Sequence, residues 1–181
     1  MNSVQYRRLK ADDLDSYREI RLECLQNNPA EFGTTYEEAL RTSSPKMSHV
    51  LLQTDTGSFL AGAFQNHTLI GICGFLQEPR LKTRHRGSIV QMYVKPTHEG
   101  RGVGSNLLRF TLDTAFANDS TEQIELGVVD SNASALAVYR RVGFVEYGLL
   151  ETCFKQNDDY RAMVLMVLTK HNYIRKNRSA P

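Results

Sequence analysis

The segment Glu99-Gly100-Arg101-Gly102-Val103-Gly104 has the composition of an anion-binding turn. Its alternating glycines leave no side chain between backbone and ligand, and they accept unusual φ/ψ values. An apolar run ends at Pro96 just before the turn, and a helical pattern starts just after it. The first N–H groups of a helix lack intrahelical partners, and the helix dipole favours negative charge there. The chemistry indicated is phosphate binding, with Arg101 and Lys95 able to add positive charge. A dinucleotide fingerprint is not met, because counting from Gly100 or Gly102 puts Ser105 or Leu107 at the third glycine. A Walker loop fails as well: Ser105-Asn106 stands where Lys-Ser or Lys-Thr is required. An ordinary turn would need one glycine, not three. Further on, Asn132, Ala135, Tyr139, Gly143 and Phe144 form a second spaced set. By residue type alone, Asn132 is a helix cap and Tyr139 a core aromatic with its hydroxyl satisfied.

The elements that must position these residues can be read from periodicity and breakers. Residues 4–9 read as a short strand, and Asp12 or Asp13 can cap a helix bearing Leu14, Tyr17, Ile20, Leu22, Cys24 and Leu25. A weaker helical region covers 36–52, interrupted near 43–45. Strands at 58–64 and 68–77 meet at a tight turn, and a basic loop at 79–86 leads to a strand at 88–95. The helix after the glycine turn shows one broad apolar face, Val103, Leu107, Leu108, Thr111, Leu112, Ala115 and Phe116. A strand at 124–129, a helix ending at Arg141 before Gly143, and strands at 144–154 and 160–169 complete the order. This is an α/β (mixed α+β) chain: one domain over residues 1–169, with a mixed central sheet of about six to seven strands flanked by about four helices. Residues 170–181 read as a basic, flexible tail.

Bulk properties narrow the function classes. The chain has 181 residues, enough for one self-sufficient core, with 41% apolar and 23% charged residues. A net charge of +2 argues against nucleic acid or an acidic membrane as partner. Cys24, Cys73 and Cys153 are scattered and form no metal-binding or disulfide pattern, so no metal is expected. The expected location is the cytoplasm, since residues 1–10 lack a signal-peptide core and no run approaches a membrane span.

Taken together, the two motifs resemble the paired core motifs of the GNAT acetyltransferase superfamily. The first runs from an apolar strand, here Val90-Gln91-Met92-Tyr93-Val94, through Pro96 into a Q/R-x-x-G-x-G/A loop. The second, N-x-x-A-x-x-x-Y-x-x-x-G-F, is matched from Asn132 to Phe144. The resemblance spans residues 4–169 and is specific over 88–144. It implies transfer of the acetyl group of acetyl-CoA to a primary amine by direct attack in a ternary complex. Backbone at Met92, Tyr93 and Val94 would pair with the thioester and pantetheine, with the Met92 N–H as oxyanion donor. The loop Glu99, Gly100, Arg101, Gly102, Val103, Gly104 and Ser105 would hold the pyrophosphate. Asn132 would contact the pantetheine or orient the loop, Ser134 would contact the coenzyme, and Tyr139 would protonate the departing thiolate, a thiol's pKa being about 8.5.

Two positions depart from the family pattern. Glu99 replaces the usual Gln or Arg at the head of the loop, and Ser88 occupies the strand position where many members carry a catalytic Glu. An amine of pKa about 10.4 must lose its proton before attack. Ser88 could pass it along ordered water; Glu37, Glu38, Glu151 and Asp158 are other candidates. Acids at Glu31, Glu37, Glu38, Asp158 and Asp159 suggest a cationic amine, with Tyr36, Glu38, Ser88, Tyr147 and Tyr160 around it. The acceptor class is a small-molecule or peptide amine, and the assembly a monomer or homodimer. The rival reading is a non-catalytic acyl-CoA-binding sensor, motivated by Ser88 and Glu99.

Overall fold

The computed structural model describes residues 3–42, 47–52, 57–156 and 158–178. Strand β1 (Gln5–Arg8) leads to helix α1 (Leu14–Asn27), then to short helices α2 (Tyr36–Arg41) and α3 (Ser48–Leu52). The interruption expected near 43–45 lies outside the described residues. Strands β2 (Phe59–Gln65), β3 (Thr68–Gln77) and β4 (Arg86–Val94) follow, then α4 (Val103–Phe116), β5 (Gln123–Val129) and α5 (Ala133–Val142). Strands β6 (Val145–Gln156) and β7 (Asp159–Thr169) and helix α6 (Lys170–Arg178) close the chain. The seven strands form one mixed sheet in the order β1-β2-β3-β4-β5-β7-β6. Only β4 and β5 run parallel. Asn66 and His67, both at positive φ, make the two-residue turn between β2 and β3, a geometry that suits the twist of the flanking strands.

The core sits on both faces of β3. On one face, Leu107, Leu108, Thr111 and Leu112 of α4 are buried; Gly71 of β3 looks directly at Leu107. Gly74, three residues on and therefore on the other face, looks at Met47 and Val90, on the side where Tyr17, Ile20 and Cys24 of α1 are buried. On that second face α1 packs against β3, with α2 on α1, and α3 packs against β2. Over β5, β7 and β6 the same face carries half-exposed Met163, Leu165 and Val167.

Residues 170–178, read from the sequence as part of a flexible tail, form α6. Tyr173 is 4% exposed, stacks near Phe116 and donates its hydroxyl to Asp113 Oδ1 at 2.8 Å. Lys176 Nζ donates to the Arg140 carbonyl at 3.1 Å. The basic residues that read as a solvated end share a helix with one aromatic anchor, and α6 thereby ties α4 to α5. Among the described residues, no helix is long and apolar enough to cross a membrane.

Candidate active site

The site begins with a break in β4. Opposite β3, Phe75 pairs with Ile89 and Gly74 with Val90, but Ile72 pairs with Tyr93 and Gly71 with Val94. One extra residue has entered β4, and Gln91 takes a φ of +55° there. This is a β-bulge, and it exchanges the sides to which alternate peptide groups point. Before it, the Arg86 carbonyl accepts from Glu78 N–H on the β3 side. After it, Lys95 N–H donates to the Ile70 carbonyl on that same side. Alternation then directs the peptide groups of Met92 and Val94 away from β3, towards β5. No strand meets them: β4 and β5 pair only at Arg86, Gly87 and Ser88, and then diverge. The result is an edge of unpaired backbone groups inside the sheet.

The bulge is held from α1. Tyr17, fully buried, donates its hydroxyl to Gln91 Oε1 at 2.7 Å. Two residues on, the Tyr93 hydroxyl donates to Glu23 at 3.0 Å and accepts from Asn27 at 3.2 Å. Glu23 also binds Lys95 Nζ at 2.8 Å, so the charge expected to reach the glycine loop from Lys95 is engaged on α1 instead.

The divergence opens a cleft of about 510 Å³ lined by residues from β4, the glycine turn, α5 and the end of α1. Met92, Tyr93, Val94, Glu99, Gly100, Gly102, Gly104, Ser105, Asn132, Ser134 and Tyr139, all read from sequence as coenzyme-binding, line this one cleft. Two others lie elsewhere: Val103 is buried in the core, and Arg101 is exposed outside the lining. Gly100 and Gly102 adopt φ of +70° and +78°, and a Cβ at either would meet nothing within 4 Å, leaving room for a bulky anion against the backbone. Gly102 is the N-cap of α4, so the free N–H groups of the helix start at the cleft wall.

Asn132 caps α5, its Oδ1 accepting from Ala135 N–H at 2.9 Å and from Ser134 Oγ at 3.0 Å. With its oxygen used in capping, its amide nitrogen is the group that serves Glu31 in the same cleft. Tyr139 is 7% exposed, packs edge-on against Phe144, and reaches the cleft from below. Burial, with Cys73 and Glu31 nearby, pushes its pKa well up, so it stays a phenol and a hydrogen-bond donor across neutral pH. The Gly143 N–H bonds the Tyr139 carbonyl at 3.1 Å and φ is +120° there, which ends α5 just after the tyrosine.

The sequence pattern of the Acetyltransferase (GNAT) family matches residues 14–144. The chain belongs to this family. A spermidine N(1)-acetyltransferase of Vibrio cholerae is 30% identical over 108 residues, 60% of this chain and 61% of that protein. The match thus spans about three fifths of that relative's length. Among solved structures, a GNAT acetyltransferase from Streptococcus pneumoniae superposes with a TM-score of 0.81 at 20% identity, covering 92% of this chain and 99% of the other. A putative acetyltransferase from Salmonella typhimurium, solved with acetyl-CoA, gives a TM-score of 0.78 at 16% identity over 93% and 94% of the two chains.

In this GNAT chain the residues expected around the acceptor do not converge. Tyr36 and Glu37 line a cavity with Phe154, Lys155 and Arg161 of the β6–β7 hairpin. Glu38 lines a separate cavity between α1 and α2, its carboxylate accepting from Thr35 N–H at 2.8 Å as part of a helix cap. Tyr160 is exposed beneath Lys155, and Asp158, Asp159 and Glu151 are exposed on the hairpin. Ser88 pairs with Glu125, which is bound by Arg86 at 2.6 Å. Tyr147 sits near that pair, its hydroxyl 3.5 Å from Glu125.

The acids expected to mark a cationic amine thus lie at separate positions, Glu31, Glu37 and Glu38 each lining a different cavity. The sequence marks Glu31 only as one of several acids and gives no sign of Asn28 or Arg141, yet all three line this cleft. Burial raises the Glu31 pKa above the usual carboxylate range, opposed by hydrogen bonds from Asn28 and Asn132. Pro29, which ends α1 and starts the short turn over Pro29–Glu31, was the available signal that this carboxylate is set by backbone geometry.

Proposed function

We propose that this chain transfers the acetyl group of acetyl-CoA to an amine by direct attack, both substrates being bound together. The observation that supports this best is the unpaired edge of β4 at Met92 and Val94, opening on the glycine turn at one end and Tyr139 at the other. An extended pantetheine arm can add to that edge as a strand would. The free N–H groups at Gly100 to Ser105 take the pyrophosphate, with Arg141 as the basic side chain of the cleft. The family's donor, acetyl-CoA, brings an activated acyl carbon and a good leaving group. The chain's own groups do the rest. The Met92 N–H stabilises the developing oxyanion, a contribution on the order of 3 kcal/mol for one such donor. Glu31, the partly buried carboxylate of the cleft, accepts the amine proton. As the N–C bond forms and the C–S bond breaks, Tyr139 passes its phenolic proton to the leaving sulfur.

The test combines calorimetric titration with acetyl-CoA, thiol release over a panel of amines, and mass spectrometry of the product amine. Binding, thiol release and an acetylated amine are expected together. Tight binding without release on any amine would favour a coenzyme sensor and overturn transfer.

A further inference from the structure

The acceptor side is charged in the opposite sense to a polyamine site. Between α1 and α2 lies a cavity of about 560 Å³ lined by Arg18, Arg21, Arg41 and Glu38 among others. Arg21 is the unusual one. It is 8% exposed, yet among the described residues no carboxylate pairs with it. Its contacts are soft: Cys24 Sγ at 3.4 Å, and the face of Phe32 at 4.7 Å. A guanidinium carries five donors, more than these two contacts use, and Arg21 lines the cavity. Burying a charge without a counter-ion is unfavourable, and an anion entering the cavity would relieve it. The one acid of the lining, Glu38, is occupied in the α2 cap.

The neighbouring cavity, which shares Leu25 and Gly33 with this one, carries Lys155 and Arg161 against Glu37. Both cavities flank the 28–33 link, whose Asn28 and Glu31 line the coenzyme cleft. Arg21 follows Tyr17 by one helical turn, about 6 Å along the axis. Tyr17 in turn holds Gln91, next to Met92.

We infer that the acceptor is an amine carrying an anionic group, a carboxylate or a phosphoryl, which docks on Arg21 in the cavity between α1 and α2. The inference rests on the transfer reading above and names its substrate class. A polyamine would meet arginines where it needs carboxylates, and wrong-sign contacts are a strong basis for rejection.

The experiment compares matched amines on the full chain with saturating acetyl-CoA. O-phosphoethanolamine is set against ethanolamine, β-alanine against propylamine, and spermidine against all four. The anionic member of at least one pair should exceed its neutral counterpart by about tenfold or more in kcat/KM, with spermidine poorest. The pair that shows the effect identifies phosphoryl or carboxylate. Arg21→Gln should collapse that preference through KM, and Arg41→Gln, at an exposed position, should reduce it by a smaller factor. Acetyl-CoA affinity measured on the same samples separates loss of the docking charge from disturbance of α1.

Binding of O-phosphoethanolamine and β-alanine to CoA-saturated protein is titrated in parallel. Anion-dependent binding lost in Arg21→Gln supports the inference even if no amine is acetylated, an outcome that would sink only the transfer reading. Turnover of spermidine or the neutral amines at least as fast as the anionic ones overturns the inference and leaves transfer intact. So does a preference that survives both substitutions.

Discussion

The cleft on the β5 side of β4 is lined by peptide groups and glycines with Asn132, Tyr139 and Arg141 beside them; on the α1 side the lining is side chains from α1, α2 and the β6–β7 hairpin. The backbone part of the first region is assembled by one bulge, one turn and one helix start, all within residues 86–105. The second needs three segments brought together by the whole fold. Backbone recognition of a fixed coenzyme tolerates changes such as Glu99, because the N–H groups remain whatever side chain stands at the head of the loop. Side-chain recognition of a variable acceptor does not, and each arginine or acid there alters what the cavity accepts.

The sharpest way to break the coenzyme side is Gly102→Asp. It places a side chain at a φ of +78° and a negative charge against the pyrophosphate. Strain of about 1–2 kcal/mol and several more from like charges predict at least a ~100-fold loss of acetyl-CoA affinity by calorimetry. Wild-type affinity would remove the turn from the site. Tyr139→Phe comes next, and should lower kcat about tenfold or more in stopped-flow thiol release while acetyl-CoA affinity is retained. An unaltered kcat would show that the tyrosine only packs.

Glu31→Gln tests the boundary between the two regions. Burial raises the Glu31 pKa, so kcat/KM should rise with pH through a value above the usual carboxylate range as the base becomes ionised. The glutamine variant should lose that acid limb and about tenfold in rate; retention of the limb assigns the base elsewhere. The same shift has a stability sign. A raised folded-state pKa gives a contribution that is present below the unfolded pKa and lost as pH rises through the folded one. Thermal melts of wild type relative to Glu31→Gln should therefore improve as the pH is lowered. The smallest effect is expected from Glu99→Gln, which removes a carboxylate from the cleft rim. Acetyl-CoA should bind about two- to fivefold tighter, less so at high salt. Weaker binding would mean that Glu99 makes a favourable contact.

The contrast also explains what could be read from the sequence. The glycine turn and the Asn132–Phe144 helix are local, with spacings that carry their own geometry. The bulge left no such mark, since Val90-Gln91-Met92 reads as an ordinary strand. Only the pairing with β3 and the Tyr17 contact from α1 reveal the extra residue. Arg21 sits at a helical position between Tyr17 and Cys24 where any polar residue could face solvent; its burial depends on Phe32 and α2. In α6, basic composition concealed Tyr173, whose partners Asp113 and Phe116 are remote in sequence. The seating of β7 between β5 and β6 likewise depends on long-range pairing that no short window contains.

The bulge at Gln91 also makes chain length a specification. Before it, even-numbered peptide groups of β4 face β3; after it, odd-numbered ones do. Deleting Gln91 would keep every apolar side chain and still yield a plausible strand. It would, however, turn the hydrogen-bonding edge at Met92 and Val94 inward onto β3, leaving the wrong half of the backbone on offer. In this strand the number of residues between Ser88 and the glycine turn is as much a part of the site as any side chain within it.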